Sequence, residues 1–185
     1  MYIVVVVAIV SVLVLGSLAA ALIDRNSGGA DTQNQNPVRT VTPGAEVARL
    51  QTQVAADPND FDSLVVLAEI LANSGRASEA IPLFEEAVRR RPDDPAIRLA
   101  FGRALLRTNN LFDAELQLTR AVELDPENQA AAFYLAQVYE ARGADDAESA
   151  RVWYQRAIDL NPDSLIAEQA REALAFLGPP ATATP

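Results

Sequence analysis

Arg103 and Arg107 are the side chains whose type and spacing best suit recognition chemistry. They lie four residues apart in a segment with helical periodicity, so a helix would place both on one face. A guanidinium is a planar fork of donors that matches a carboxylate, and two adjacent forks suit an acidic ligand. The pair therefore predicts a contact to the carboxylate of a partner.

The other residue types exclude most catalytic chemistry. The chain has no His and no Cys, which removes a His general base, a thiol nucleophile and a His or Cys metal site. Asp93-Asp94 and Asp145-Asp146 are adjacent carboxylates in turns, where they form neither an acid–base pair nor a calcium loop. We expect no enzyme activity, catalytic residue, metal, cofactor or small-molecule substrate. The net charge of −10 also argues against a nucleic-acid partner, because phosphate contacts need clustered cations.

A continuous apolar stretch opens the chain. Residues 2–23 hold 19 apolar side chains and no charge, which is long enough for a helix to cross a bilayer. We predict a retained single-pass anchor over residues 1–23 in the cell membrane, with the domain that follows it extracytoplasmic. A cleaved secretory signal is the alternative, because Ser17 and Ala19 form a small-x-small cleavage site. The polar composition of residues 24–43 predicts a disordered linker, and residues 179–185 a disordered tail.

Proline marks a period in the rest of the chain. Pro58, Pro92, Pro126 and Pro162 follow one another at spacings of 34, 34 and 36 residues. In the first period apolar residues recur at i, i+3, i+4 and i+7, namely at Leu64, Leu67, Ala68 and Leu71. Such a stripe is typical of an amphipathic helix, and a second stripe follows after a turn. Each period therefore predicts a helical hairpin whose uncovered face is buried by the next copy.

This pattern resembles the tetratricopeptide repeat, in which small residues, aromatics and a closing proline recur every 34 residues. The resemblance implies an all-α, right-handed solenoid over residues 44–178. Its three hairpin repeats are residues 61–94, 95–128 and 129–164, preceded by a half-repeat helix. A capping helix over residues 164–177 follows them.

Three features depart from the family pattern. The preferred Trp of each repeat is replaced, Asn109 stands where the turn has Gly75 and Gly143 in the other copies, and the third repeat is two residues longer. The extra residues are expected in the turn at residues 143–146. These departures leave the prediction of about eight helices over residues 42–177 unchanged.

The resemblance also implies a binding groove lined by the first helix of each repeat. The positions that point into it are Asp62, Val65, Glu69, Ala72, Asn73, Ala96, Leu99, Arg103, Leu106, Arg107, Ala130, Phe133, Gln137, Glu140 and Ala141. Arg103 and Arg107 fall at its centre, where they either bind a partner or pair internally with Glu69 or Glu140. Leu99, Leu106 and Phe133 either form an apolar floor or pack between hairpins.

These features predict a membrane-anchored interaction scaffold that holds a partner polypeptide in the groove. A narrower alternative rests on residues 47–60, VARLQTQVAADPND, which resemble the helix before the repeats of a bacterial cytochrome c maturation assembly factor. That resemblance implies capture of apocytochrome chains. A fixed structural subunit of a membrane complex is the third possibility.

Overall fold

A computed structural model describes residues 43–178, and within this range every regular element is helical. Eight α-helices follow one another, which confirms the predicted all-α fold. They are α1 (Pro43–Ala56), α2 (Phe61–Asn73), α3 (Ala77–Arg90), α4 (Pro95–Arg107), α5 (Leu111–Leu124), α6 (Gln129–Arg142), α7 (Ala147–Leu160) and α8 (Leu165–Leu177). The predicted anchor, the linker up to residue 42 and the tail lie outside the described residues. No helix between residues 43 and 178 combines the length and hydropathy that crossing a bilayer requires.

The helices pair as three hairpins, α2–α3, α4–α5 and α6–α7. Each helix also packs against the one that follows it, and the first helices α2, α4, α6 and α8 contact one another in order. Helix α1 packs on α2 and helix α8 packs on α7, so both flank the hairpins as the sequence predicts. The side-by-side first helices form the surface on which the candidate groove residues lie.

Local sequence signals begin and end these helices. Asp60, Asp94, Asn128 and Ser164 precede the four first helices, and each side chain accepts a hydrogen bond from a backbone N–H of the first turn. The turn inside each hairpin needs a left-handed residue, which Asn109 supplies in the second hairpin at φ 61°. A 3₁₀ turn at Ala144–Asp146 absorbs the two extra residues of the third repeat, as expected.

In the core of each hairpin, a small residue on the first helix packs against a large residue on the second helix. The large residues are Phe84, Leu118 and Tyr154, each at most 1 % exposed. Gly102 is the small residue of the middle hairpin, and a Cβ placed there would lie 2.5 Å from Leu118 Cγ. Glycine at this position therefore allows the two helices to pack closely around a branched side chain.

Arginine side chains tie the proline turns to the helices. The carbonyl oxygen of each of the four period prolines accepts a hydrogen bond from a guanidinium at 2.8–3.2 Å. The donor and acceptor pairs are Arg90 to Pro58, Arg98 to Pro92, Arg156 to Pro126 and Arg171 to Pro162. Each donor belongs to the first or the second helix after the turn that it holds, so the contacts fix how the turns meet the helices.

Candidate functional site: a groove along the first helices

A cavity of about 150 Å³ opens between α2 and α4. Its lining is Glu69, Ala72, Asn73, Phe84, Ala100, Arg103 and Arg107. Five of the predicted groove residues therefore lie around one opening, namely Glu69, Ala72, Asn73, Arg103 and Arg107. Its lining combines two guanidinium groups, a carboxylate and an amide with the aromatic side chain of Phe84.

Arg107 is exposed, and its guanidinium is anchored to the end of α2. Its Nη1 donates to the carbonyl oxygen of Ala72 and, at 3.4 Å, to Oδ1 of Asn73. Both acceptors lie in the last turn of α2, where unsatisfied carbonyls attract a cation. Arg107 therefore joins the ends of α2 and α4, and it is bound to α2 instead of the carboxylate of Glu69.

Arg103 is placed differently, although it shares the helix face. Its guanidinium carbon lies 4.9 Å from the ring centroid of Tyr134 on α6, a cation–π contact. Its Nε is buried and makes no hydrogen bond within residues 43–178. The guanidinium forms no ion pair with any carboxylate in that range, so neither predicted internal partner, Glu69 or Glu140, holds it.

Glu140 instead belongs to the core of the third hairpin. Its carboxylate accepts a hydrogen bond from the buried hydroxyl of Tyr154. Burial, followed by this hydrogen bond, raises the pKa of Tyr154 above the usual value for a phenol. The carboxylate of Glu140 is therefore hydrogen-bonded to Tyr154, and the residue is half-buried.

The apolar residues at the predicted groove positions differ in how deeply they are buried. Leu99, Leu106 and Val65 are half-buried, so part of each side chain remains accessible. Phe133 is only 7 % exposed, and its ring packs edge-on against Tyr154 with centroids 5.6 Å apart. The burial of Phe133 therefore favours packing between helices over a role in the apolar floor of the groove.

The other predicted groove positions differ in exposure. Asp62, Glu69, Asn73, Ala96 and Ala141 are exposed, Ala130 and Gln137 are half-buried, and Ala72 is buried. Sequence reasoning missed Tyr134, which stacks on Arg103. An aromatic residue directly after a groove position, on the helix that follows the arginine, is the signal that could have identified it.

A polar network lies on the other side of α6. Tyr139 donates to Oε1 of Glu115 at 2.7 Å, and Arg142 bridges Glu115 and Asp146. Burial first, and then the hydrogen bond to Glu115, raise the pKa of Tyr139 to about 12. This network joins α5 to α6. Within residues 43–178, Asp and Glu side chains form no cluster suited to a metal ion.

Known proteins resemble the chain in sequence over the repeats. Two models described as tetratricopeptide repeat match residues 71–122 and 99–164. The human protein O-mannosyl-transferase TMTC3 is 30 % identical over 111 residues, which cover 60 % of this chain and 12 % of that protein. The cytochrome c-type biogenesis protein CycH of Rhizobium meliloti is 32 % identical over 105 residues, which cover 53 % of this chain and 28 % of CycH. The chain thus spans less than a third of either relative.

Solved structures share the fold at low identity. The tetratricopeptide-repeat protein YrrB, described as having an unusual peptide-binding site, superposes with a TM-score of 0.65 at 23 % identity over 70 % of this chain and 66 % of YrrB. MamA from Desulfovibrio magneticus gives 0.66 at 23 % identity over 73 % of each chain. The first such domain of Spaghetti (RPAP3), bound to an HSP90 peptide, gives 0.55 at 22 % identity over 64 % of this chain and 96 % of that domain. Across residues 71–164, about half of its 185 residues, the chain belongs to the tetratricopeptide-repeat family.

Proposed function

We propose that this chain is an interaction scaffold that holds a partner polypeptide along α2, α4 and α6. The observation that carries the proposal is Arg103, a guanidinium beside a cavity with a buried Nε that has no protein acceptor in the described range. Arg103 also lines the cavity, and a guanidinium that forms no ion pair in the described range would bind the carboxylate of a partner there. No bond is made or broken in this function.

The groove offers a partner both polar and apolar contacts. A carboxylate, from a side chain or a chain end, would accept from Arg103, while Tyr134 holds the guanidinium plane in place. The half-buried Leu99 and Leu106 would pack against apolar side chains of the same peptide. Arg107 is assigned a structural role, because its Nη1 already donates to the end of α2.

Site-specific crosslinking tests where the partner binds. A photo-crosslinking amino acid at Asn73, which is exposed at the cavity, is compared in native membranes with one at Ser78, which is exposed on α3. We expect one protein to be crosslinked from residue 73 and not from residue 78. Equal crosslinking from both positions would contradict binding in the groove.

Charge removal then tests the contact itself. With the crosslinked partner identified, Arg103→Gln in the full-length chain is expected to weaken binding by about 10-fold or more, as loss of a charged hydrogen bond does. Arg49→Gln on α1 is the matched control, because Arg49 is exposed and pairs with Glu46 on its own helix. Unchanged affinity of the Arg103 variant would remove that residue from the binding site.

The same proposal includes an anchor. Residues 1–23 would hold the repeats at the membrane and residues 24–43 would act as a tether, which raises the effective concentration of a membrane partner. Since the chain has no Cys, Ser78→Cys provides a single thiol for labelling. We expect carbonate-resistant membrane association and reaction with an impermeant maleimide added outside the cell. Release by carbonate would contradict the anchor, and protection from the reagent would reverse the orientation.

CycH supports a second candidate function. Its name describes cytochrome c biogenesis, and it is 32 % identical to this chain over 105 residues. The groove would then hold an apocytochrome segment. Calorimetry of the full-length chain with a C-terminal apocytochrome c peptide tests this, and absence of heat at high micromolar peptide would exclude it. A partner that fails to exchange with added free partner would instead favour the fixed structural subunit.

A further inference from the structure

The α2–α4 cavity carries charges of both signs on its wall. Arg103 and Arg107 supply two positive charges, Glu69 supplies one negative charge, and the other lining residues are neutral. Two positive charges and one negative charge leave the wall with a net charge of +1, whereas the whole chain carries −10. The cavity is therefore a locally basic site in an acidic protein, and its charge is balanced by one carboxylate and not by two.

Glu69 is the lining residue whose charge is not yet accounted for. It is exposed on α2 and forms neither a hydrogen bond nor an ion pair within residues 43–178. Both cations of the wall have contacts elsewhere, because Arg103 stacks on Tyr134 and Arg107 donates to the end of α2. The carboxylate of Glu69 therefore acts directly on whatever enters the cavity.

The size of the cavity brings its occupant close to Glu69. A volume of about 150 Å³ is below the roughly 300–1,000 Å³ of pockets that enclose a drug-sized ligand, so it admits the head of one side chain or one chain end. A second carboxylate next to the first would therefore lie near Glu69. Like charges about 4 Å apart repel even in water, which weakens binding by about five-fold.

We propose that Glu69 is a specificity-determining residue of the groove, which restricts the cavity to a partner segment with one isolated carboxylate and discriminates against runs of acidic residues. Arg103 binds the isolated carboxylate, and Glu69 accepts a hydrogen bond from a donor of the same segment, such as a backbone N–H. The inference rests on the proposed function, since it concerns the partner of the same cavity. It adds which acidic segments that partner presents.

Selection from a library of short random peptides tests this preference without knowledge of the partner. The library is displayed on phage and selected on the full-length chain in detergent. We expect the wild-type chain to enrich single acidic residues and to deplete adjacent acidic pairs, and Glu69→Gln to accept the pairs. Glu85→Gln is the matched control, because Glu85 is exposed on α3 and lines a different opening. It should select the same peptides as the wild type.

Affinities of two matched peptides then measure the size of the effect. One is a selected peptide with a single Asp, and the other has a second Asp in place of the residue before it. By fluorescence anisotropy, the wild-type chain should bind the first about five-fold more tightly than the second, and Glu69→Gln should remove the difference. Raising the salt concentration should reduce the difference in the wild type, since Glu69 is exposed. Arg103→Gln should weaken both peptides.

The outcomes separate this inference from the function on which it rests. No enrichment of acidic residues, or an enrichment that survives Arg103→Gln, would contradict the carboxylate site itself and the role of Glu69 with it. Enrichment that requires Arg103 but accepts adjacent acidic pairs in the wild-type chain would overturn the role of Glu69 alone. The same conclusion would follow if Glu69→Gln and Glu85→Gln had equal effects on the ratio of the two affinities.

Discussion

Replacing Gly102 by Ala places two known effects in opposition. Alanine in a helix interior is favoured over glycine by about 1 kcal/mol, so the change would ordinarily stabilise α4. Here the new Cβ would lie 2.5, 2.9 and 3.3 Å from three carbon atoms of Leu118. Carbon atoms pack best at about 3.5–4.0 Å, so the closest contact overlaps by about 1 Å.

Leu118 has little freedom to relieve this overlap. It is 0 % exposed, and the opposing helix is held by the core of the hairpin. Overpacking a filled core costs about 1–3 kcal/mol, which exceeds the gain in helix propensity for most of that range. We expect Gly102→Ala to lower the free energy of unfolding by about 1 kcal/mol, with the helical spectrum unchanged.

Urea unfolding followed by circular dichroism measures the effect against a matched control. Gly44→Ala is the same substitution in α1, where nothing lies within 4 Å of the new Cβ, and it should be neutral or stabilising. Leu118→Ala should cost about 2–5 kcal/mol alone but less when combined with Gly102→Ala, because the added methyl group occupies part of the cavity. If Gly102→Ala stabilises the protein as much as Gly44→Ala, or if the two changes at 102 and 118 are additive, the proposed packing is wrong.

Three further changes test other parts of the molecule. Asn109→Ala should lower the free energy of unfolding by about 1 kcal/mol because φ is 61°, whereas Asn109→Gly should change it by a few tenths; equal melting temperatures of the two variants would contradict this. The folded-state pKa of Tyr139 is about 12, above its unfolded value near 10, so its contribution is present below about pH 10 and lost as pH rises through the folded value. The difference in unfolding free energy between wild type and Tyr139→Phe should therefore narrow above about pH 10, and a constant difference would refute the linkage. Deleting residues 164–177 should uncover the third hairpin and lower both melting temperature and solubility; an unaffected melting curve would show that α8 is no cap.

Most of the fold follows from the sequence because the signals that specify it are local and repeated. The N-caps, the left-handed turn residue and the apolar stripes each act within one helix or turn, and the 34-residue period then imposes the same pairing on every copy. The pairing of Gly102 with Leu118 could be aligned in the sequence, since both fall at fixed repeat positions. Its distance could not, because the closeness of two helices depends on side chains from both.

The candidate site was only partly predictable, because its contacts also depend on side chains from more than one helix. The sequence places Arg103 and Arg107 on one face, and the structure brings both to one cavity with Glu69 and Asn73. The residues that contact them belong to neighbouring hairpins, however, and an arginine side chain is long enough to reach several of these residues. Arg107 reaches the end of α2, where carbonyls are unsatisfied, while Arg103 reaches the ring of Tyr134. No repeat position encodes that difference.

Every basic side chain in the sequence is an arginine, and Arg103 differs from the other arginines in its contacts. A guanidinium has several donors in one plane and can satisfy two acceptors together, which a lysine does less well. Arg90 binds Glu86 and the carbonyl of Pro58, and Arg142 binds Glu115 and Asp146. Arginine thus serves mainly as a tie between helices and turns in this protein, so that its abundance is no sign of a ligand. Arg103 departs from that use, because its Nε is buried and still lacks an acceptor in the described part of the chain, and this contrast makes it the side chain from which a partner is inferred.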